Sequence, residues 1–196
     1  IGPGKGALTK HLLHIKDMLT LIEVDKESIE FLDSEFQEEK LNIIEADFLK
    51  FDIESTYPSE KDILIVGNFP YNISSQILFK SIDNYKSVSG LIGMFQREVA
   101  ERIISKNNCK QYGILSVKTQ LFYDTEILFN ISPNVFFPKP KVDSAVISLT
   151  RKKNLTIDCD LDLLDKVIKL SFQQRRKKIK NSLKRLDIQE NILEDS

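Results

Sequence analysis

Short β-branched runs alternate along the chain with stretches whose apolar residues recur at helical spacing. Leu19 to Val24 reads as a buried strand, and Lys26 to Phe36 as a helix with Ile29, Phe31 and Leu32 on its apolar side. Leu41 to Ile44 is a second strand, and Ile63 to Val66 a third that ends at Gly67-Asn68. Ser74 to Ile82 reads as a helix, with Ser74 and Ser75 as candidate caps. Val88 to Phe95 is another strand, followed by helices from about Glu98 and over Ile114 to Phe122. Thr125 to Ile131 and Ala145 to Thr150 close the series as two strands joined by a Pro-rich loop. Alternating strands and helices predict an α/β fold with a mostly parallel sheet wound on both faces. The last two strands have no helix between them, so an antiparallel last strand is expected.

After Arg151 the pattern becomes purely helical. Leu164, Val167, Ile168 and Phe172 share one face, and Ile179 and Leu183 extend the stripe. A boundary near Lys152–Asn154 separates a body, residues 1–152, from a small helical C-terminal domain, residues 153–196. At the other end, Gly2-Pro3-Gly4-Lys5-Gly6 precedes a stretch, Ala7 to Leu13, that reads as a helix. A glycine-rich turn of this kind ordinarily follows a strand. Only Ile1 precedes it, so a first strand is expected upstream.

Composition narrows the class. The 196 residues are 41% hydrophobic and 29% charged, a soluble globular balance. No run of about 18 apolar residues is present, so no membrane partner is expected. Cys109 and Cys159 are far apart and lack metal-ligand spacing, which argues for a reducing cytoplasm and against a disulfide framework. His11 and His14 lie three apart without a visible third ligand, and no metal is expected. The net charge of −1 argues against a polyanionic partner until it is divided. Residues 1–150 hold 16 Lys and Arg against 21 Asp and Glu, whereas residues 151–196 hold 12 against 8. Lys166 to Arg185 contains nine basic residues and no acid, a pattern suited either to a polyanion or to a solvated helix face.

Three strand ends carry candidate chemistry. The glycines Gly2, Gly4 and Gly6 permit a tight turn and close approach of a ligand to backbone N–H groups. No Gly-Lys-Ser/Thr closes the turn, which excludes a Walker loop. Glu23 follows 21 positions after Gly2, where a ribose hydroxyl acceptor is expected; an acid favouring the next helix N-terminus is the plainer alternative. Asp47 ends the following strand and is placed to accept from an adenine amino group, or to serve as a turn aspartate. Gly67-Asn68-Phe69-Pro70-Tyr71-Asn72 follows the third strand and reaches the same sheet edge. Asn68 offers a side-chain carbonyl and Tyr71 a flat ring, a combination suited to gripping a planar base by its exocyclic amine. Phe95, Phe122 and Phe129 read as core, and Cys109 as an unreactive loop residue.

Asn-x-Pro-Tyr after an acid-ended sheet resembles the S-adenosylmethionine-dependent amino-methyltransferases. The segments 1–9, 67–74 and Phe136-Phe137-Pro138-Lys139-Pro140-Lys141-Val142-Asp143-Ser144-Ala145-Val146 resemble the ribosomal RNA adenine N6-dimethyltransferase family, and 172–183 extends the likeness into the tail. The resemblance implies a Rossmann-like class I fold and S-adenosylmethionine as cofactor. It implies dimethylation of two adjacent adenines near the 3′ end of small-subunit rRNA, by a cytoplasmic monomer working on the immature small subunit. It places Gly2, Glu23, Asp47 and Asn68 at the cofactor, Asn68 and Pro70 at the target amine, and Tyr71 and Phe136 against the target base. Lys139, Lys141, Arg175, Arg176, Lys177, Lys178 and Lys180 are then expected on the RNA. Residue 69 is Phe where the family usually has Leu, and little consequence is expected. The family also has a segment and strand before the glycine turn and a longer tail, so the full-length protein is the expected active enzyme. Large-subunit rRNA methylases, DNA adenine methyltransferases and a non-enzymatic rRNA-binding factor are the rival readings; the tail match opposes the first two and the intact site residues the last.

Overall fold

The structure, a computed structural model, describes residues 1–60, 62–174, 178–183 and 186. The expected tail residues Arg175, Arg176 and Lys177 lie outside them. Strand β1 (Thr20–Glu23) pairs in parallel with β2 (Asn42–Glu45), and α1 (Lys26–Glu35) makes the crossover. Asp25 starts α1 by accepting from Ser28 N–H at 3.0 Å and from the Ser28 hydroxyl at 2.6 Å. Helix α2 (Ile53–Thr56) is capped in the same way by Asp52.

The remaining strands are β3 (Ile63–Asn68), β4 (Val88–Gln96), β5 (Tyr123–Ile131) and β6 (Ser144–Arg151), in spatial order β3-β4-β6-β5. β3 and β4 are parallel and joined through α3 (Ser74–Asp83), whereas β6 runs antiparallel to both its neighbours. The expected single sheet is therefore divided in two. β1 and β3 do not pair; each bonds instead to the stretch between them, Gly2 N donating to Ile22 O at 2.9 Å and Ile1 N to Val66 O at 2.8 Å. That stretch joins the glycine turn to the strands on both sides of it.

Helices α4 (Arg97–Ile104) and α5 (Ile114–Phe122) pack with α3 on the four-stranded sheet around buried Ile77, Leu78, Leu91, Phe95, Ile103 and Ile147. Tyr123 closes this core by donating to Ser81 O and Val88 O, and burial pushes its phenol up. Helix α6 (Leu161–Gln173) turns the expected face inward, with Ile168 buried and Leu164, Val167 and Phe172 half-buried. Its Asp165 reaches Lys118 of α5 and Lys169, each at 2.6 Å. Burial raises that carboxyl, but the two ammonium partners outweigh it and hold it below its ordinary range. Leu155 and Ile157, in the irregular segment before α6, pack on the body's core.

Several expectations fail for identifiable reasons. Ala7 to Leu13 is not an α-helix: Thr9–His11 and Leu13–Met18 are 3-10 turns. Thr9 alone is buried within those turns, so little packing is present to favour a regular helix. His11 and His14 lie on these turns. Neither serine caps α3; Ile73 holds the cap position, and Ser74 Oγ donates to Tyr71 O at 3.1 Å. Phe129 is 55% exposed rather than core, because β5 is an edge strand whose register shifts between Ile127 and Phe129. In α7 (Ile179–Leu183) Leu183 is buried while Ile179 stays exposed, so the apolar stripe continues only in part.

Candidate active site

The distinctive turn after β3 is fixed by a side chain packed against the face of the sheet. Gly67 and Gly93 sit opposite each other in the β3–β4 ladder, and the gap they leave is filled by the ring of Phe69. A methyl group on Gly67 would stand 2.5 Å from that ring, and one on Gly93 2.2 Å. Phe69 is only 1% exposed and meets Phe95 edge to face at 5.7 Å. The Phe at this position is thus the wedge that orients its neighbours. With residue 69 turned inward, Asn68 and Pro70 turn outward at the strand's end, and both are exposed.

Tyr71 is held at both ends. Its carbonyl accepts from Ser74 Oγ, and its hydroxyl shares a 2.5 Å hydrogen bond with Ser144 Oγ at the start of β6. Phe136 arrives from the β5–β6 loop after a 3-10 turn at Pro133–Val135. A cleft of about 290 Å³ results, lined by Asn68, Phe69, Pro70, Tyr71, Met94, Phe136, Pro138 and Pro140. The four residues expected from sequence at the target base therefore share one cleft. Lys139 and Lys141 are exposed on the Phe136 loop. Lys178 is exposed and Lys180 half-buried beside α7.

The neighbouring edge is built differently. Gly2, Gly4 and Gly6 adopt φ of +57°, +53° and +74°, a region other residues enter at a cost. Space is open in front of the Cα atoms of Gly2 and Gly4, whereas a side chain on Gly6 would strike Phe36. Glu23, 8% exposed at the end of β1, turns into this loop. Its carboxylate accepts from Gly4 N–H at 3.0 Å, Val24 N–H at 2.8 Å and Asp25 N–H at 3.1 Å. The expected N-terminal helix dipole is missing, since 3-10 turns follow the glycines. Asp47 follows β2 and makes an aspartate turn, accepting from Leu49 N–H at 2.9 Å, with its other oxygen 3.8 Å from Lys50. Ala46 N donates to Glu23 O at 2.8 Å, so the two acidic strand ends adjoin.

Sequence reasoning missed Gly93 and Ser144. A glycine inside a β pattern is a signal of close approach by another group, and Gly93 carried that signal. Nothing local marked Ser144 as the partner of a tyrosine 73 positions earlier.

The family described as ribosomal RNA adenine dimethylase matches over residues 1–194. The chain belongs to that family. It is 49% identical over 195 residues to the ribosomal RNA small subunit methyltransferase A of Flavobacterium johnsoniae, covering 100% of this chain and 74% of that one. The protein of the same name from Parabacteroides distasonis is 47% identical over 186 residues, covering 95% and 69%. Among solved structures, a dimethyladenosine transferase from Plasmodium falciparum superposes with a TM-score of 0.81 at 28% identity, covering 99% of this chain and 69% of that one. The 23S rRNA methyltransferase ErmE gives 0.76 at 26% identity, covering 94% and 73%. The fold is that of the Rossmann-like class I methyltransferases. Among the described residues no helix is long and apolar enough to cross a membrane.

Proposed function

We propose that this protein transfers methyl groups from S-adenosylmethionine to N6 of two adjacent adenines near the 3′ end of small-subunit rRNA. Each adenine receives two, on the immature small subunit, by a monomer in the cytoplasm. The observation that carries the reading is the exposed Asn68 carboxamide, which lines one cleft with Pro70, Tyr71 and Phe136 at the end of the strand that Ile1, before the glycine loop, bonds to. The small subunit is favoured over the large by identities of 49% and 47% to small-subunit enzymes, against 26% to ErmE.

The cofactor fits the donor set. Gly2 and Gly4 leave open space for a close ligand, and Glu23 retains one carboxylate lone pair, on Oε2, beyond its three internal bonds. The second oxygen of Asp47, outside the Leu49 bond and 3.8 Å from Lys50, can accept from an adenine amino group. The cofactor's sulfonium supplies an already activated methyl group, so the chain need not supply an acid for the leaving group.

The chain's own work falls on the nucleophile. Adenine N6 is conjugated with its ring and weakly nucleophilic. The Asn68 carbonyl accepts one N6 proton. Pro70 O, which already accepts from Ile73 N–H at 3.1 Å, has a second lone pair for the other. Both acceptors favour the positive charge that develops on N6 as a neutral thioether leaves, and they aim its lone pair; the surplus N6 proton then passes to water, and in the second round the single remaining N–H is left for one of the two acceptors. The base must leave its stack first, and Tyr71 and Phe136 replace that stacking at about 1–3 kcal/mol per base.

The test is transfer of labelled methyl groups by the full-length protein to immature small subunits, large-subunit rRNA and duplex DNA. Small subunits are expected to be labelled and the others not. Asn68→Ala is expected to keep its fold and cofactor binding while losing about 10²–10³-fold in turnover. Near-normal methylation by that variant sinks the role of Asn68. Preferential labelling of either other substrate sinks the small-subunit reading.

A further inference from the structure

Ser144 is fully buried at the first position of β6, where backbone pairing holds it on both sides, opposite Gln96 of β4 and Ile131 of β5. Few positions near the cleft are less able to move. Among the described residues its hydroxyl has one partner, the Tyr71 hydroxyl at 2.5 Å. Tyr71 itself lies in a turn, where an unrestrained ring would sample several rotamers. The Ser144 bond fixes the ring's far end, and the Ser74 bond to Tyr71 O fixes its backbone.

From this geometry we infer that Ser144 is a positioning residue: it fixes where the Tyr71 ring lies so that a base stacked on it presents its amine to Asn68 and Pro70. The inference rests on the function proposed above. A stacking ring contributes to holding a base in any position that leaves contact. Only one ring position aligns the exocyclic nitrogen with the two acceptors and with an incoming methyl group. Ser144 therefore acts on turnover more than on RNA affinity, since misalignment is felt in the transition state. The hydroxyl pair is neutral, so its removal leaves no buried charge, and Tyr71 is half-exposed and can give its hydroxyl to water.

The experiment is a double-mutant cycle in the full-length protein, using Ser144→Ala, Tyr71→Phe and the two combined, with labelled transfer to immature small subunits. Each single variant is expected to lower kcat by about five- to tenfold, the worth of one hydrogen bond. KM for RNA should change less than twofold and S-adenosylmethionine affinity by calorimetry should stay unchanged; the melting temperature should stay unchanged in Ser144→Ala and in the double variant and fall in Tyr71→Phe, which leaves the buried Ser144 hydroxyl unpaired. The double variant should be no slower than either single one, because both remove the same bond. Multiplying losses, or a rise in KM with kcat intact, overturns the positioning role. Unchanged kcat in Ser144→Ala with an active parent also overturns it alone. Absence of transfer by the unmodified protein removes the functional reading, and this role with it.

Discussion

The two halves of the candidate site lie at the ends of β1 and β3, linked through Ile1 and Gly2, but are held in opposite ways. On the base side, Phe69 fills a slot between two glycines, Tyr71 is tied at both ends, and Asn68 projects from a paired strand. On the cofactor side, three glycines with positive φ are followed by 3-10 turns in which only Thr9 is buried. The loop is held chiefly by Gly2 N to Ile22 O and by Gly4 N–H to Glu23. Rigidity sits where a weak nucleophile must be aimed. Adaptable backbone sits where a ligand rich in hydroxyls, amines and charge brings hydrogen bonds of its own. The comparison can be broken from either side.

The largest effect should follow from closing the slot under the base side. Gly93→Ala places a methyl group 2.2 Å from the Phe69 ring, which is fully buried and cannot retreat. Overpacking of this kind costs about 1–3 kcal/mol of stability. Displacing the turn that carries Asn68 by about 1 Å should lower turnover on the order of 10²-fold. Adding Phe69→Leu, which shortens the wedge, should restore a large part of both losses. Melting temperature and kcat of the three proteins report it. An active, stable Gly93→Ala would show that the wedge does not orient the site.

Much of this is legible in the sequence, and the exceptions share a cause. Helices at 26–35 and 114–122 and six strands were expected within one or two residues, because each combines a clear apolar period with a cap or turn residue. Asn68, Pro70, Tyr71 and Phe136 were named together, and one cleft holds them. What failed depended on partners distant in sequence. The stretch after Gly6 has helical spacing but little to pack against, and Phe129 has an apolar pattern but lies on an edge. The strands form two sheets linked by backbone hydrogen bonds only through Ile1 and Gly2, among the described residues, which no local pattern reveals. Gly93 and Ser144 act across the sheet on the turn at 69–71, so only the strand register exposes them.

On the cofactor side the expected loss is smaller and of another kind. Glu23→Gln keeps the shape of the carboxylate but replaces one acceptor oxygen by an amide and removes the charge. Charge-assisted hydrogen bonds contribute about 1.5–3 kcal/mol, so S-adenosylmethionine should bind about 10- to 100-fold more weakly by calorimetry. Turnover at saturating cofactor should fall far less than in Asn68→Ala. Equal losses of kcat in both variants would mean that the two halves are not separable and that the contrast between them is false.

The smallest effect should come from the loop that carries Phe136. Lys139 and Lys141 are exposed and make no ion pair among the described residues, so they are available to RNA phosphates. Each phosphate neutralised contributes about 0.7–0.9 to the slope of log affinity against log salt. Replacing both lysines by Gln should therefore flatten that slope by about 1.4–1.8 and weaken RNA binding a few-fold at moderate salt. The rate with bound RNA should stay intact, because neither ammonium group lines the cleft. Binding titrations at several salt concentrations, with single-turnover transfer alongside, separate the two quantities. An unchanged slope would remove the lysines from the RNA interface, and a slowed single turnover would place them within the rigid half of the site.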